Sequence, residues 1–138
     1  MKILLVCTGN TCRSPMACCY LRSLRPEWEV CSAGTRAVKG ALPSRNARRV
    51  MADAGLDLSA HRATRIAELT GKDFDQVFAM SPAHLEAVED WGGKLLSTLR
   101  DEEVAVEDPY GGSLEVYRNS FEQIRHYLDV LKKGPAEA

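Results

Sequence analysis

The run Ile3-Leu4-Leu5-Val6-Cys7 constrains the fold of this chain more than any other feature: five consecutive apolar residues with no polar alternation. A strand with one face in water alternates, whereas one without alternation must be covered on both faces, as a central strand of a parallel sheet is. The next eight residues are equally restrictive. Thr8-Gly9-Asn10-Thr11-Cys12 contains two residues able to take left-handed backbone angles, and Arg13-Ser14-Pro15 opens a helical run. A strand, a short loop and a helix in that order form the first half of a crossover unit, so an open α/β sheet is expected.

The rest of the chain continues the alternation. The first strand is expected over Lys2 to Val6 and the first helix over Ser14 to Leu24, then a strand at Glu29 to Ser32 and a helix from Ser44 to Ala54 that Gly55 ends. Phe74 to Met80 reads as a third strand, Pro82 to Trp91 as a helix stopped by Gly92-Gly93, and Lys94 to Leu99 as a fourth strand. The last helix is the clearest: Leu114, Tyr117, Phe121, Ile124, Leu128 and Leu131 recur at helical steps behind a Ser113 cap. Such a pattern predicts an open parallel sheet with helices on both faces, whose ligands bind beyond the carboxyl ends of the strands, where Cys7 stands. The 138 residues make one domain, assigned to 1–133, with 134–138 as a short flexible tail.

A thiol and a guanidinium, Cys7 and Arg13, flank the loop. If residues 8 to 12 wrap an anion, the N–H groups of Thr8, Gly9, Asn10, Thr11 and Cys12 converge on a phosphoryl group and Arg13 offers its planar fork to two oxygens. Cys7 then lies beneath phosphorus as nucleophile, its thiol drawn below the reference value of about 8.5 by the helix N-terminus and Arg13. Ser14 offers a hydroxyl that steadies a thiolate or caps the helix. Spacing alone decides nothing, because Cys19 and Arg25 share it; but the residues between those two lack glycine and sit where helical periodicity is strong. Context singles out Cys7.

The stretch Val6-Cys7-Thr8-Gly9-Asn10-Thr11-Cys12-Arg13-Ser14-Pro15 resembles the signature V-C-x-G-N-x-C-R-S-P of the low-molecular-weight protein tyrosine phosphatase family, and Asp108-Pro109-Tyr110-Gly111-Gly112 resembles its second hallmark, Asp-Pro-Tyr or Asp-Pro-Phe. The resemblance covers essentially the whole chain. It implies a flavodoxin-like four-stranded sheet of order 2-1-3-4 and metal-independent hydrolysis of phosphorylated protein side chains through a phosphocysteine, with no cofactor. It also implies that Asp108 protonates the leaving group and then deprotonates water. From spacing alone Asp108 is one of 19 acidic residues, with Glu107 the runner-up, although Pro109 favours an extended and well-aimed Asp108. A buried network behind the loop is implied as well, with Ser32 and His61 supporting a strained Asn10.

Within that family the branches differ in substrate. Thr11 matches the branch that hydrolyses protein phosphoarginine, where phosphotyrosine enzymes usually carry an aliphatic residue; Tyr110 departs from that branch's phenylalanine, and Cys18 stands where glutamate is common. Thr35 to Leu42 has no aromatic residue for a second wall of a phosphotyrosine pocket. Phosphoarginine is therefore the expected substrate and phosphotyrosine the alternative, with Thr11 and Tyr110 as specificity residues. Arsenate reduction would need further thiols, and residues 80 to 100 hold none. A phosphopeptide-binding module without turnover would not need both Cys7 and Asp108.

Net charge −1, with 45% hydrophobic and 27% charged residues, argues against nucleic acid or membrane partners and for local recognition of a phosphorylated protein, with inorganic phosphate as product. The longest apolar run is too short for a signal peptide or a membrane span, so a cytoplasmic monomer is the expectation. Five cysteines are an odd set, expected reduced, and no CxxC pair or His cluster suggests zinc. Cys18, Cys19 and Cys31 read as small apolar fillers. Cys12 shares the loop with Cys7, and the resemblance implies a reversible disulfide between them that shields the nucleophile. Arg45, Arg48 and Arg49 read as a solvated helix face, with attraction of acidic targets as the alternative.

Overall fold

The computed structural model describes residues 1–132, so the tail expected at 134–138 lies outside the described residues. Strands β1 (Lys2–Cys7), β2 (Glu29–Gly34), β3 (Gln76–Ala79) and β4 (Lys94–Leu95) form one parallel sheet in the order β2-β1-β3-β4, as the resemblance implied. The apolar run at the N-terminus is one of its two inner strands, paired on both edges. Residues Ile3, Leu5 and Cys7 join one cluster, with Met16 and Leu21 of α1 (Arg13–Leu24), Met51 of α2 (Arg45–Asp53), and Phe121, Ile124 and Leu128 of α4 (Leu114–Leu128). Leu4 and Val6 join another with Ala33, Val77, Ala79 and Val88, against which Leu85 of α3 (Pro82–Ala87) packs. Alternate residues of β1 thus enter opposite layers, and each fully buried aliphatic or phenyl side chain contributes about 1.5–3 kcal/mol.

Several element ends differ from expectation. β1 runs one residue further, to Cys7, and β2 two further, to Gly34, because Cys7 and Gly34 are partners in the ladder. β4 is only Lys94–Leu95, not a strand to Leu99; a 3-10 turn over Leu96–Arg100 replaces the remainder. There the hydroxyls compete with the ladder: Thr98 donates to the Leu95 carbonyl at 2.7 Å, and Ser97 donates to the Glu102 carbonyl at 3.1 Å. α3 ends at Ala87 and a 3-10 turn over Glu89–Trp91 precedes Gly92, at φ +72°. Trp91 is held over Gly71, where any Cβ would come within about 2.0 Å of its ring. The last helix stops at Leu128, leaving Leu131 in a terminal 3-10 turn; Ser113 caps it as expected, accepting from the Val116 amide at 3.4 Å. Among the described residues no helix is long and apolar enough to cross a membrane.

Candidate active site

The loop between β1 and α1 lies at the carboxyl edge of the sheet and is tied outward by its carbonyls. The Cys7 carbonyl accepts from the Thr35 amide, Thr8 from Arg36 and Thr11 from Ser44, each at 2.9 Å. The N–H groups of Thr8, Gly9, Thr11 and Cys12, in contrast, donate to no described residue. Unpaired donors beside a helix N-terminus form an anion-binding concavity. The same four residues, with Cys7 and Arg13, line a cavity of about 340 Å³. Arg36, Val38, Ala41, Asp108 and Tyr110 complete its lining.

Close approach to β2 shapes the loop. A Cβ on Gly34 would stand 2.4 Å from the Thr8 carbonyl oxygen and 3.0 Å from the Asn10 nitrogen, so only glycine lets the loop fold back over this strand end. Asn10 takes φ +56°, a left-handed angle that asparagine tolerates better than most residues, and is fully buried. Its amide nitrogen donates to Ser14 Oγ at 2.8 Å and Ser32 Oγ at 3.0 Å, and its side-chain oxygen accepts from the Thr64 amide at 2.9 Å. His61 donates from Nε2 to the Asn10 carbonyl at 2.7 Å. Burial lowers the pKa of His61 and keeps the ring neutral, as a donor to a carbonyl needs only one ring proton. Asn10, Ser32 and His61 therefore meet in one network.

Cys7 is 3% exposed, with Sγ 2.8 Å from Ser14 Oγ. Ser14 is not a cap: α1 begins at Arg13, and its cap position, Cys12, makes no side-chain capping bond. The expectation of a thiol drawn down is not met. Burial pushes the Cys7 thiol above its ordinary value, against the pull of the Ser14 hydroxyl, the Ser14 amide, the Arg13 charge and the Asn10 amide. Taking a thiolate out of water outweighs those four groups as the protein stands.

Arg13 is 5% exposed, donates to the Val106 carbonyl at 3.1 Å and stands 3.6 Å from Asp108 Oδ2. A buried guanidinium with one carbonyl and one distant, half-exposed carboxylate leaves most of its five donors for another oxyanion. Asp108 also accepts the Tyr110 amide through Oδ1 at 3.1 Å, an Asx turn that aims the carboxyl at the cavity. Glu107 is exposed and lines no part of that cavity, its amide bonding Gln123. Thr11 and Tyr110 both reach the mouth, and Tyr110 is 80% exposed.

Cys12 Sγ lies 3.5 Å from Ser44 Oγ and 3.4 Å from Tyr117 Oη, and like Cys7 it lines the cavity as a free thiol. Of the other thiols, Cys18 is buried, donating to the Val30 carbonyl with its pKa raised by burial to about 12, and Cys19 and Cys31 are partly buried. The spacing decoy lies in α1 and just beyond it, Cys19 in the helix and Arg25 stacked 4.0 Å over Trp28. Among the described residues no three His, Cys, Asp or Glu side chains gather as a metal site.

Sequence reasoning missed His84 and Gly34. His84 is 3% exposed, with Nε2 2.6 Å from Thr8 Oγ1 and Nδ1 3.0 Å from Ser81 Oγ. Burial, with the Arg13 charge, lowers its pKa to about 4 against a smaller opposite pull from Asp108, so it props the loop as a neutral ring. Its signal was positional: it stands in the first turn after β3, the strand beside β1. Gly34 ends the other neighbouring strand.

Comparison with known proteins agrees with this geometry. The family model described as low molecular weight phosphotyrosine protein phosphatase matches residues 2–134. A protein-arginine-phosphatase of Geobacillus stearothermophilus is 33% identical over 138 residues, covering 94% of this chain and 93% of the relative. The low molecular weight protein-tyrosine-phosphatase PtpB of Staphylococcus epidermidis is 32% identical over 137 residues, covering 96% and 97%. A solved structure of the YwlE arginine phosphatase, a mutant with serine for cysteine and a phosphorylated active site serine, superposes with a TM-score of 0.88 at 27% identity, covering 95% of this chain and 93% of that one.

Proposed function

This chain belongs to the low-molecular-weight phosphotyrosine protein phosphatase family, and from that premise we propose that residues 1–133 hydrolyse phosphorylated protein side chains through a phosphocysteine at Cys7, with phosphoarginine preferred. One observation carries the reading: four orphan loop amides and a buried, under-compensated Arg13 surround a sulfur held 2.8 Å from Ser14. An anion is what that arrangement lacks, and a phosphoryl group supplies it.

The thiol loses its proton to the entering phosphoryl dianion, a base delivered next to sulfur. Ser14, the Ser14 and Asn10 amides and Arg13, which already pull against burial, then hold the thiolate. Sulfur attacks phosphorus in line, the P–N or P–O bond breaks, and the Asp108 carboxyl gives its proton to the leaving nitrogen or oxygen. Water then attacks phosphorus, losing a proton to Asp108; the S–P bond breaks, and the leaving phosphate returns its proton to sulfur, which restores the thiol. Arg13 and the loop amides hold the equatorial oxygens throughout, donors whose single removal costs about 10²–10³ in rate in other enzymes. The serine-linked phosphate in the YwlE neighbour's site supports a covalent step of this kind.

The preference for phosphoarginine rests on the hydroxyl of Thr11 at the cavity mouth and on a lining of Arg36, Val38 and Ala41 with no ring to sandwich a phenyl group. Tyr110 favours the second reading, phosphotyrosine, because it supplies one aromatic wall. The test is kcat/KM on phosphoarginine and phosphotyrosine peptides for the natural protein and Thr11→Ile. The proposal expects phosphoarginine to lead and Thr11→Ile to shift the ratio toward phosphotyrosine; a leading phosphotyrosine and an inert Thr11→Ile would overturn the preference. Cys7→Ser is expected to abolish turnover on both, and a variant that still turns over would overturn the covalent route itself.

A further inference from the structure

A second depression, about 1060 Å³, opens beside the first. The two share a partition. Ser44 and Tyr117, which line the larger one, hold Cys12 of the smaller from behind, and Gly111 of the larger follows Tyr110 of the smaller. The start of α2 is fixed to the phosphate loop by the Ser44 amide on the Thr11 carbonyl at 2.9 Å. Asn46 donates across the depression to the Gly112 carbonyl at 3.4 Å, which sets its width.

Its charge is one-sided. Arg45, Arg48 and Arg49 line it against a single carboxylate, Asp57, in a chain of net charge −1. Arg49 lies 3.5 Å from Asp53, which Arg118 also approaches at 3.4 Å, as on an ordinary solvated face. Arg45 and Arg48 are exposed and make no ion pair among the described residues. Asp57 is already engaged by the Ser59 amide at 2.9 Å. None of the proposed chemistry uses these two arginines, yet they stand on an element bonded directly to the loop that performs it.

We propose that this cleft docks acidic side chains of the protein substrate on one side of the phosphorylated residue, with Arg45 and Arg48 as the cations that receive them. The reach is suitable: Arg48 stands one helical turn, about 6 Å, beyond Ser44. An extended peptide advances about 3.3 Å per residue, so the second to fourth neighbours of the phosphorylated side chain lie about 7–13 Å along the chain from it, the positions varied below. The inference rests on the protein phosphatase reading, and the small-substrate arm below separates the two.

The experiment measures kcat/KM on p-nitrophenyl phosphate and on phosphotyrosine and phosphoarginine peptides with Glu or Ala at the second to fourth positions before, or after, the phosphorylated residue. The natural protein is compared with Arg45→Gln/Arg48→Gln and Arg45→Glu/Arg48→Glu, each checked by thermal melting, with the single variants in reserve. Two exposed ion pairs predict a preference of about fivefold to tenfold for Glu peptides on one side, shrinking toward unity at about 0.5 M salt. The Gln variant loses that preference and the Glu variant reverses it, while p-nitrophenyl phosphate is turned over within about twofold of the natural rate. Equal rates on Glu and Ala peptides in the natural protein, or a preference that survives both double variants, would overturn the docking proposal alone. No turnover of any of the substrates by the natural protein would overturn the phosphatase reading, and this inference with it.

Discussion

The floor of the cavity and its rim obey different rules. On the floor, Asn10, Arg13 and Ser14 are at most 5% exposed, and the hydrogen bonds of Asn10 hold the loop whether or not anything is bound. On the rim, Tyr110 is 80% exposed, and Arg36, Val38 and Asp108 are open to solvent. A buried polar network must be complete, since each unmatched group costs about 1–3 kcal/mol, whereas an exposed side chain finds water at little cost. The floor is therefore committed to one arrangement, which the proposed chemistry uses to hold a phosphoryl group, and in that proposal the rim is free to decide which phosphorylated side chain enters. A substitution on the floor should harm every substrate, and one on the rim should discriminate among them.

The sharpest challenge to that division is Asp108, a rim residue with a proposed chemical role. Asp108→Asn should slow turnover about 10²–10⁴-fold on substrates with poor leaving groups and far less on p-nitrophenyl phosphate. Equal slowing on all would move Asp108 to the floor class, and leaving-group dependence of kcat/KM decides it. Arg13→Lys comes next: a point charge replaces a fork, and kcat should drop about 10²–10³-fold on every substrate alike. A loss confined to one substrate would break the comparison.

Smaller effects probe how firmly the floor is built. Gly34→Ala pushes a methyl group to 2.4 Å from the Thr8 carbonyl and should destabilise the fold by about 3 kcal/mol, read as a lower urea midpoint. The least of the four effects belongs to His84. Its pKa is lowered to about 4 in the fold and stands near 6.5 in the unfolded chain, so below pH 6.5 the unfolded state takes up a proton that native His84 refuses. Stability is complete above pH 6.5 and falls as pH drops toward 4, with His61 adding to the same limb through its own lowered pKa. Urea titrations across that range should show a shallower slope for His84→Asn than for the natural protein.

Much of the floor could be read from the chain because it is local. Cys7 through Ser14 are consecutive, and the loop's glycine, asparagine and following proline state its backbone needs directly. Asp108, Ser32 and His61 were reachable only through the family pattern, since a single acid or histidine has no periodicity to mark it. The Cys7 thiol was read in the wrong direction because sequence shows the cations near it and not the depth of its burial. β4 was overextended because apolar content in Leu95, Leu96 and Leu99 suits a strand and a 3-10 turn equally, and the hydroxyls of Ser97 and Thr98 chose the turn.

The amino-acid sequence by itself determined the parallel sheet and the loop between β1 and α1 at its edge, because an unalternating apolar run and a glycine-containing turn before a helix each admit few backbone paths. Tertiary structure alone decided how that loop is held and what surrounds its mouth. Gly34, His84 and the partition between the two depressions come from strands and helices far apart in the chain, and only packing brings their atoms within van der Waals and hydrogen-bond range.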